Sequence, residues 1–142
     1  MNKKVTIIQW LAWAYALHFF TVVAIGHIPG LTDAQGNLFG FYHVSLLIDA
    51  GHFLSGLFAV IAALHSTRWS TYYFRLVAIP YGLDFMVSFF FSRDVTETGS
   101  IFYQGLGPPD FSFHNLIANS PHIALVVIAL WIGYSLNKRI RA

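Results

Sequence analysis

Four stretches of the chain are apolar with few interruptions: about Thr6 to Ile28, Tyr42 to Leu64, Thr71 to Phe91 and Phe113 to Leu136. Each reaches the roughly 20 residues that a helix needs to cross a bilayer core. The connections between them differ in kind. Pro29, Gly30, Thr32 and Asp33 open the first, and Gly36, Asn37 and Gly40 continue it, which is turn chemistry. His65 to Ser70 is short and makes the middle two segments a helical hairpin. Ser92 to Ser112 is long and carries Gly99, Gly105, Gly107, Pro108 and Pro109. The pattern predicts an all-α fold, an integral membrane four-helix bundle forming one transmembrane domain over residues 1–142. Lys3 and Lys4 ahead of the first apolar run look like the start of a signal peptide. The run is too long for one and holds Trp10, Trp13 and His18, so a retained helix is expected.

Composition narrows the function classes. Residues are 56% hydrophobic and 10% charged, against about 25% charged in an ordinary soluble domain. Such a chain is too apolar to be disordered. With no cysteine it has neither disulfides nor thiolate metal sites. A net charge of +2 with scattered basic residues gives no nucleic-acid footprint. The expected partners are the lipid bilayer and other membrane subunits or a second copy of the chain.

The basic residues set the expected orientation. Lys3, Lys4, Arg68, Arg75, Lys138, Arg139 and Arg141 are seven of the eight Lys and Arg, and all fall on one side. By the positive-inside rule that side is cytoplasmic, with both termini. Only Arg93 lies opposite, beside Asp94 and Glu97. Trp10, Trp69, Tyr72, Tyr73, Trp131 and Tyr134 are expected in the cytoplasmic aromatic belt, and Phe41, Tyr42 and Tyr103 in the other. A multi-pass protein of a bacterial inner membrane is the expected setting.

Ionisable groups at membrane depth stand out against this background. His18, Asp49, His52, Asp84, Asn119 and His122 fall in one layer, slightly outward of the midplane, with every helix contributing. A charged group facing lipid costs at least about 2 kcal/mol, so the layer is expected to face the bundle interior as one site or network. Asp49 and His52 share a helix face, as do Asn115, Asn119 and His122. Gly56 extends the Asp49 face and lets a neighbouring helix come close. Pro80 and Pro121 each remove a helical hydrogen bond near the layer. Asp49-Ala50-Gly51-His52 echoes Asn119-Ser120-Pro121-His122, which fits two parallel helix-pair repeats.

Three chemistries suit these residues. The layer can be packing, with hydrogen bonds that fix helix registry. It can hold a cofactor of unknown identity: haem or a chlorophyll-type pigment on His52 and His122, a quinone hydrogen-bonded there, or a transition metal, with Asp49 and Asn119 orienting the histidines. It can also be a proton or solute path through Asp84, Asp49 and His18. His27, His43 and His114 near the outer interface form a further candidate metal cluster, and His65 lies near the inner interface. Covalent-catalysis arrangements and phosphate-binding glycine motifs are missing from the membrane layer.

Three short stretches carry a resemblance: Ile28-Pro29-Gly30-Leu31-Thr32, His52-Phe53-Leu54-Ser55-Gly56-Leu57-Phe58 followed by Tyr73-Phe74-Arg75, and Asn119-Ser120-Pro121-His122. In them the chain resembles an uncharacterised family of small bacterial four-helix membrane proteins, a domain of unknown function, from Gly26 through the fourth segment. That family usually has Asn or a small residue where Asp49 stands, and rarely an acid at Asp84. More loosely the architecture is similar to the DoxX-like membrane proteins, some linked to quinone reduction. The resemblance implies the fold. With so little outside the membrane, a self-standing enzyme is not expected. The leading expectation is a non-catalytic accessory or structural subunit of a larger bacterial membrane complex, photosynthetic or respiratory. The alternatives are a haem-, pigment- or quinone-binding redox subunit and a small proton or solute transporter.

Overall fold

Each of the four long helices starts at a hydroxyl. Thr6, Ser45, Ser66 and Ser112 stand in extended backbone, and their side chains accept the amide N–H of Gln9, Ile48, Trp69 and Asn115 at 3.2–3.4 Å. Such caps satisfy amide groups that a helix start leaves without partners. The computed structural model of the protein describes residues 5–92 and 105–136. It contains α1 (Ile7–Gly26), α2 (Leu46–His65), α3 (Thr67–Phe91) and α4 (Phe113–Leu130). The last continues as a π-helical segment, Trp131–Leu136. All four helices are long and apolar enough to cross a membrane. The chain is a multi-pass membrane protein built as a four-helix bundle.

Two boundaries differ from the sequence expectation, for local reasons. Ser66 ends α2 and caps α3, so the hairpin turns on one residue and α3 starts at Thr67 rather than Thr71. The polar first turn of α3 keeps its hydroxyls satisfied. Ser70 Oγ donates to the Ala62 carbonyl at 3.0 Å and Thr71 Oγ1 to the Thr67 carbonyl at 2.9 Å. At the other end α2 starts at Leu46, not Tyr42, because Tyr42–His43 form strand β2, paired antiparallel with β1 (Asn37–Leu38). Gly36 and Gly40 take the left-handed backbone that this small hairpin requires, at φ 87° and 76°.

The helices pack chiefly as two pairs, α1 with α2 and α3 with α4, joined by α2–α3 and α1–α3 contacts. Small residues make the close approaches. Ala12, Ala16, Ala59, Ala62 and Ala63 are buried, and a side chain at Gly56 would meet the Phe20 ring at 2.8 Å. Aromatic residues fill the half nearer the Ser66 turn. There Tyr73 and Phe74 are wholly buried and Tyr15 meets both edge-on. Tyr73 is therefore core, not interface belt as expected, since its face of α3 points at α1 and α2. Trp10, Trp69, Tyr72, Trp131 and Tyr134 do remain exposed.

The face carrying the Ser66 turn, here the turn face, is tied by polar contacts. Gln9 Nε2 donates to the Ala63 carbonyl at 2.8 Å, and Thr6 and Thr67 share a hydroxyl bond of 2.9 Å. Arg75 Nε donates to the Gly133 carbonyl at 2.9 Å and its guanidinium covers the Tyr134 ring. The opposite, loop face carries the β-hairpin and the segment before α4. Lys3, Lys4, Arg93, Asp94, Glu97, Gly99, Tyr103, Lys138, Arg139 and Arg141, used above for orientation, belts and loops, lie outside the described residues.

Candidate functional site

Three of the expected polar residues converge. His52 on α2, Asp84 on α3 and His122 on α4 lie about 9–14 Å below the loop-face ends of their helices at 1.5 Å per residue. His122 Nδ1 stands 3.0 Å from Asp84 Oδ2. The two histidine rings lie 6.3 Å apart. His52 packs against Phe19 at 5.8 Å and Tyr81 at 5.9 Å, which also touch each other at 5.3 Å, and Tyr81 meets His122 at 5.2 Å. Tyr81 is anchored by its hydroxyl bond to Ser55, 2.9 Å.

The hydrogen bonding of this cluster is incomplete within the protein. His52 Nδ1, Asp84 Oδ1 and His122 Nδ1 are buried and lack a hydrogen-bond partner. The 3.0 Å approach of His122 to Asp84 is an ion-pair distance without hydrogen-bond alignment. An unpaired buried polar atom costs about 1–3 kcal/mol. Three in one place, at membrane depth, single this cluster out as the candidate site.

The cluster lines a cavity of about 810 Å³. Its lining runs from His18, Ser55, Pro80 and Leu125, roughly halfway along their helices, to Phe39, Phe41, His43 and His114 at the loop face. Both pairs of helices line it with apolar and polar groups: α1 and α2 with Phe19, Val22 and Leu47 beside His18, Asp49 and His52, α3 and α4 with Pro80, Ala118 and Leu125 beside Asp84, Ser88, Asn115, Asn119 and His122. Below the floor, Tyr15 donates its hydroxyl proton to the Leu125 carbonyl at 2.8 Å, binding α1 to α4.

Other expected site residues go elsewhere. Asp49 does not orient His52. Because α2 starts at Leu46, Asp49 sits in its first turn, where the helix dipole favours a carboxylate, with its side chain only 13% exposed. Its Oδ2 bonds His27 Nε2 at 2.8 Å, and that histidine is 65% exposed. Asn119 does not orient His122 either. Its amide donates to Ser88 Oγ at 2.9 Å and to Asn115 Oδ1 at 2.8 Å, making a seam between α3 and α4. His18 lines the cavity, with its ring against Phe19. Pro121 frees the Ile117 carbonyl, but Ser120 Oγ takes it at 2.8 Å, so the carbonyl is not offered to the site. The sequence reading passed over Phe19, Ser55, Tyr81 and Ser88. Tyr81 and Ser88 were within reach of it, being three residues before and four after Asp84 on one helix face.

Metal and haem fit poorly. Among the described residues no three His, Asp or Glu side chains gather where they could hold a metal, so the His27, His43 and His114 trio does not form a cluster. A haem held axially by His52 and His122 needs its macrocycle between the two rings. Tyr81 stacks on His52 and meets His122 edge-on, and a macrocycle between the two histidines would have to displace it. The arrangement suits instead a flat molecule that exchanges hydrogen bonds with two imidazoles and a carboxyl group. Comparisons with protein-family models, curated proteins and solved structures gave no match. The fold and site define a membrane-spanning bundle with a loop-face cavity ending on a His–Asp–His cluster.

Proposed function

We propose that the protein is a ligand-binding subunit of a bacterial inner membrane, and that its ligand is a planar lipophilic molecule with hydrogen-bonding oxygens, of the quinone class. The observation that carries this reading is the meeting of a drug-sized cavity with three unpartnered polar atoms at its end. Aromatic and aliphatic walls favour a flat apolar body. His52, Asp84 and His122 supply the donors and acceptors that a quinone's two oxygens need. Arg68 and Arg75 near the turn face support a cytoplasmic turn face and an outward-facing mouth.

The expected accessory role is compatible with this reading. On it, a bound redox molecule would be served by a partner subunit of a respiratory or photosynthetic complex.

Gly51 provides the test. It lines the cavity, and a side chain there meets nothing within 4 Å. Short-chain quinones added to purified protein should raise its unfolding midpoint, and Gly51→Leu should abolish the shift while leaving the ligand-free midpoint near wild type. No shift with any quinone tried, or an unchanged shift in Gly51→Leu, overturns the reading.

A further inference from the structure

The polar wall of the cavity does not stop at Asp84 and His122. One turn outward, Ser88 Oγ donates to Asn115 Oδ1 at 2.8 Å, and Asn119 spans Ser88 and Asn115. Asn115 Nδ2 then donates to the Asp110 carbonyl at 2.8 Å, and the Asp110 carboxylate takes the Ser112 amide at 2.9 Å. Ser88, Asn115, Asn119 and Asp110 all line the cavity. Polar groups thus mark its α3–α4 side from the buried pair to the loop-face surface. Among the described residues no matching polar chain lines a route the other way. Below Leu125 the bundle is closed by the Tyr15 bond and by Ala12, Tyr73, Phe74, Ala129 and Ile132, all fully buried.

We propose that the Asp84–His122 pair is a proton-exchange site that communicates with the loop face alone, along this α3–α4 wall. Each event moves one proton between loop-side water and either the Asp84 carboxylate or the His122 imidazole, and no electron moves. The groups facing the pair are His18 on α1, His52 on α2 and Tyr81 on α3, with Asp49, His43, His114 and Asp110 nearer the mouth. A quinone bound against the pair would take or give its protons on the loop side. The inference goes beyond the binding reading and stands on the walls of the cavity whether or not a quinone occupies it.

The chain has no cysteine, so single-cysteine variants report access cleanly. Gly51→Cys and Ser88→Cys place a thiol on the cavity wall, and Ala129→Cys places one below the floor. In vesicles of known orientation, a membrane-impermeant cationic thiol reagent should modify both wall variants at least about tenfold faster from the loop side. It should leave Ala129→Cys unmodified from either side. In the unlabelled protein, the infrared band of the protonated Asp84 carboxyl, assigned by its loss in Asp84→Asn, should follow the pH on the loop side only. Equal labelling from both faces, no labelling of either wall variant, or a band that follows turn-side pH overturns the proposal. None of these outcomes depends on quinone binding, which the Gly51→Leu test reads separately.

Discussion

Replacing His52 by phenylalanine should make the ligand-free protein more stable and the site useless. His52 packs against two aromatic rings at 5.8 and 5.9 Å, contacts that a phenyl ring can keep. Its Nδ1 is buried without a partner, a cost of about 1–3 kcal/mol that the substitution removes. The ring contacts, about 0.5–1.5 kcal/mol per pair, are largely retained. The expected gain is therefore about 1–3 kcal/mol, read as a shift in the denaturation midpoint on titrating SDS into mixed micelles. Ligand should reverse the order. At a hundred times its Kd a quinone stabilises the wild type by about 2.7 kcal/mol and does nothing for His52→Phe. A ligand-free variant less stable than wild type would mean that His52 is already satisfied within the bundle, and the argument from unpaired groups would fail.

Other substitutions probe the frame and the mouth. A side chain at Gly133 would lie 2.9 Å from Arg75 Cγ and 3.4 Å from the Arg75 backbone nitrogen. Gly133→Ala should therefore cost about 1–3 kcal/mol by overpacking, and an unchanged SDS midpoint would contradict that contact. Asp84→Leu should remove the loop-face pH dependence of any bound quinone's proton exchange, as read by the infrared bands of the ligand, while Asp49→Asn leaves it in place. Loss of that dependence in Asp49→Asn would put the proton site at the wrong acid. The Asp33 carboxyl is held below its ordinary value of 3.8, first by the backbone amide of Asn37 and also by those of Gln35 and Gly36. A depressed folded value means that its support for the hairpin is complete above 3.8 and is lost only as pH falls through the folded value. Hydrogen exchange at the Gln35 and Asn37 amides should therefore show no loss of protection between pH 7 and 5 once intrinsic rates are corrected, and a loss there would contradict the assignment.

Hydropathy alone located the four helices, because crossing a bilayer demands long apolar runs whatever the helices pack against. It misplaced two of their starts, where the deciding information is a cap. Ser66 lets a polar turn begin α3, and Ser45 delays α2 until after the β-hairpin. The second error moved Asp49 from apparent mid-depth to the first turn of α2, where it pairs with His27, which the sequence placed only in an outer metal cluster. His52, Asp84 and His122 were legible because charge at that depth is costly enough to demand a shared interior. Their partners were not legible, since which helix faces which depends on small-residue contacts such as Gly56 against Phe20. The strand pairing of Asn37–Leu38 with Tyr42–His43 left no trace beyond Gly36 and Gly40, because two-residue strands have no periodicity to read. The tie of Arg75 to the Gly133 carbonyl in the π-helical end of α4 joins residues distant in sequence and was not legible either.

The most direct measurement is the small-molecule content of the protein gently purified from its native membrane, by solvent extraction with ultraviolet–visible spectra of the oxidised and reduced sample. The account predicts a quinone-class molecule at close to one per chain, reduced in amount in Gly51→Leu and in His52→Phe. A Soret or long-wavelength pigment band belonging to this chain, or a bare protein spectrum with no extractable quinone, would contradict it.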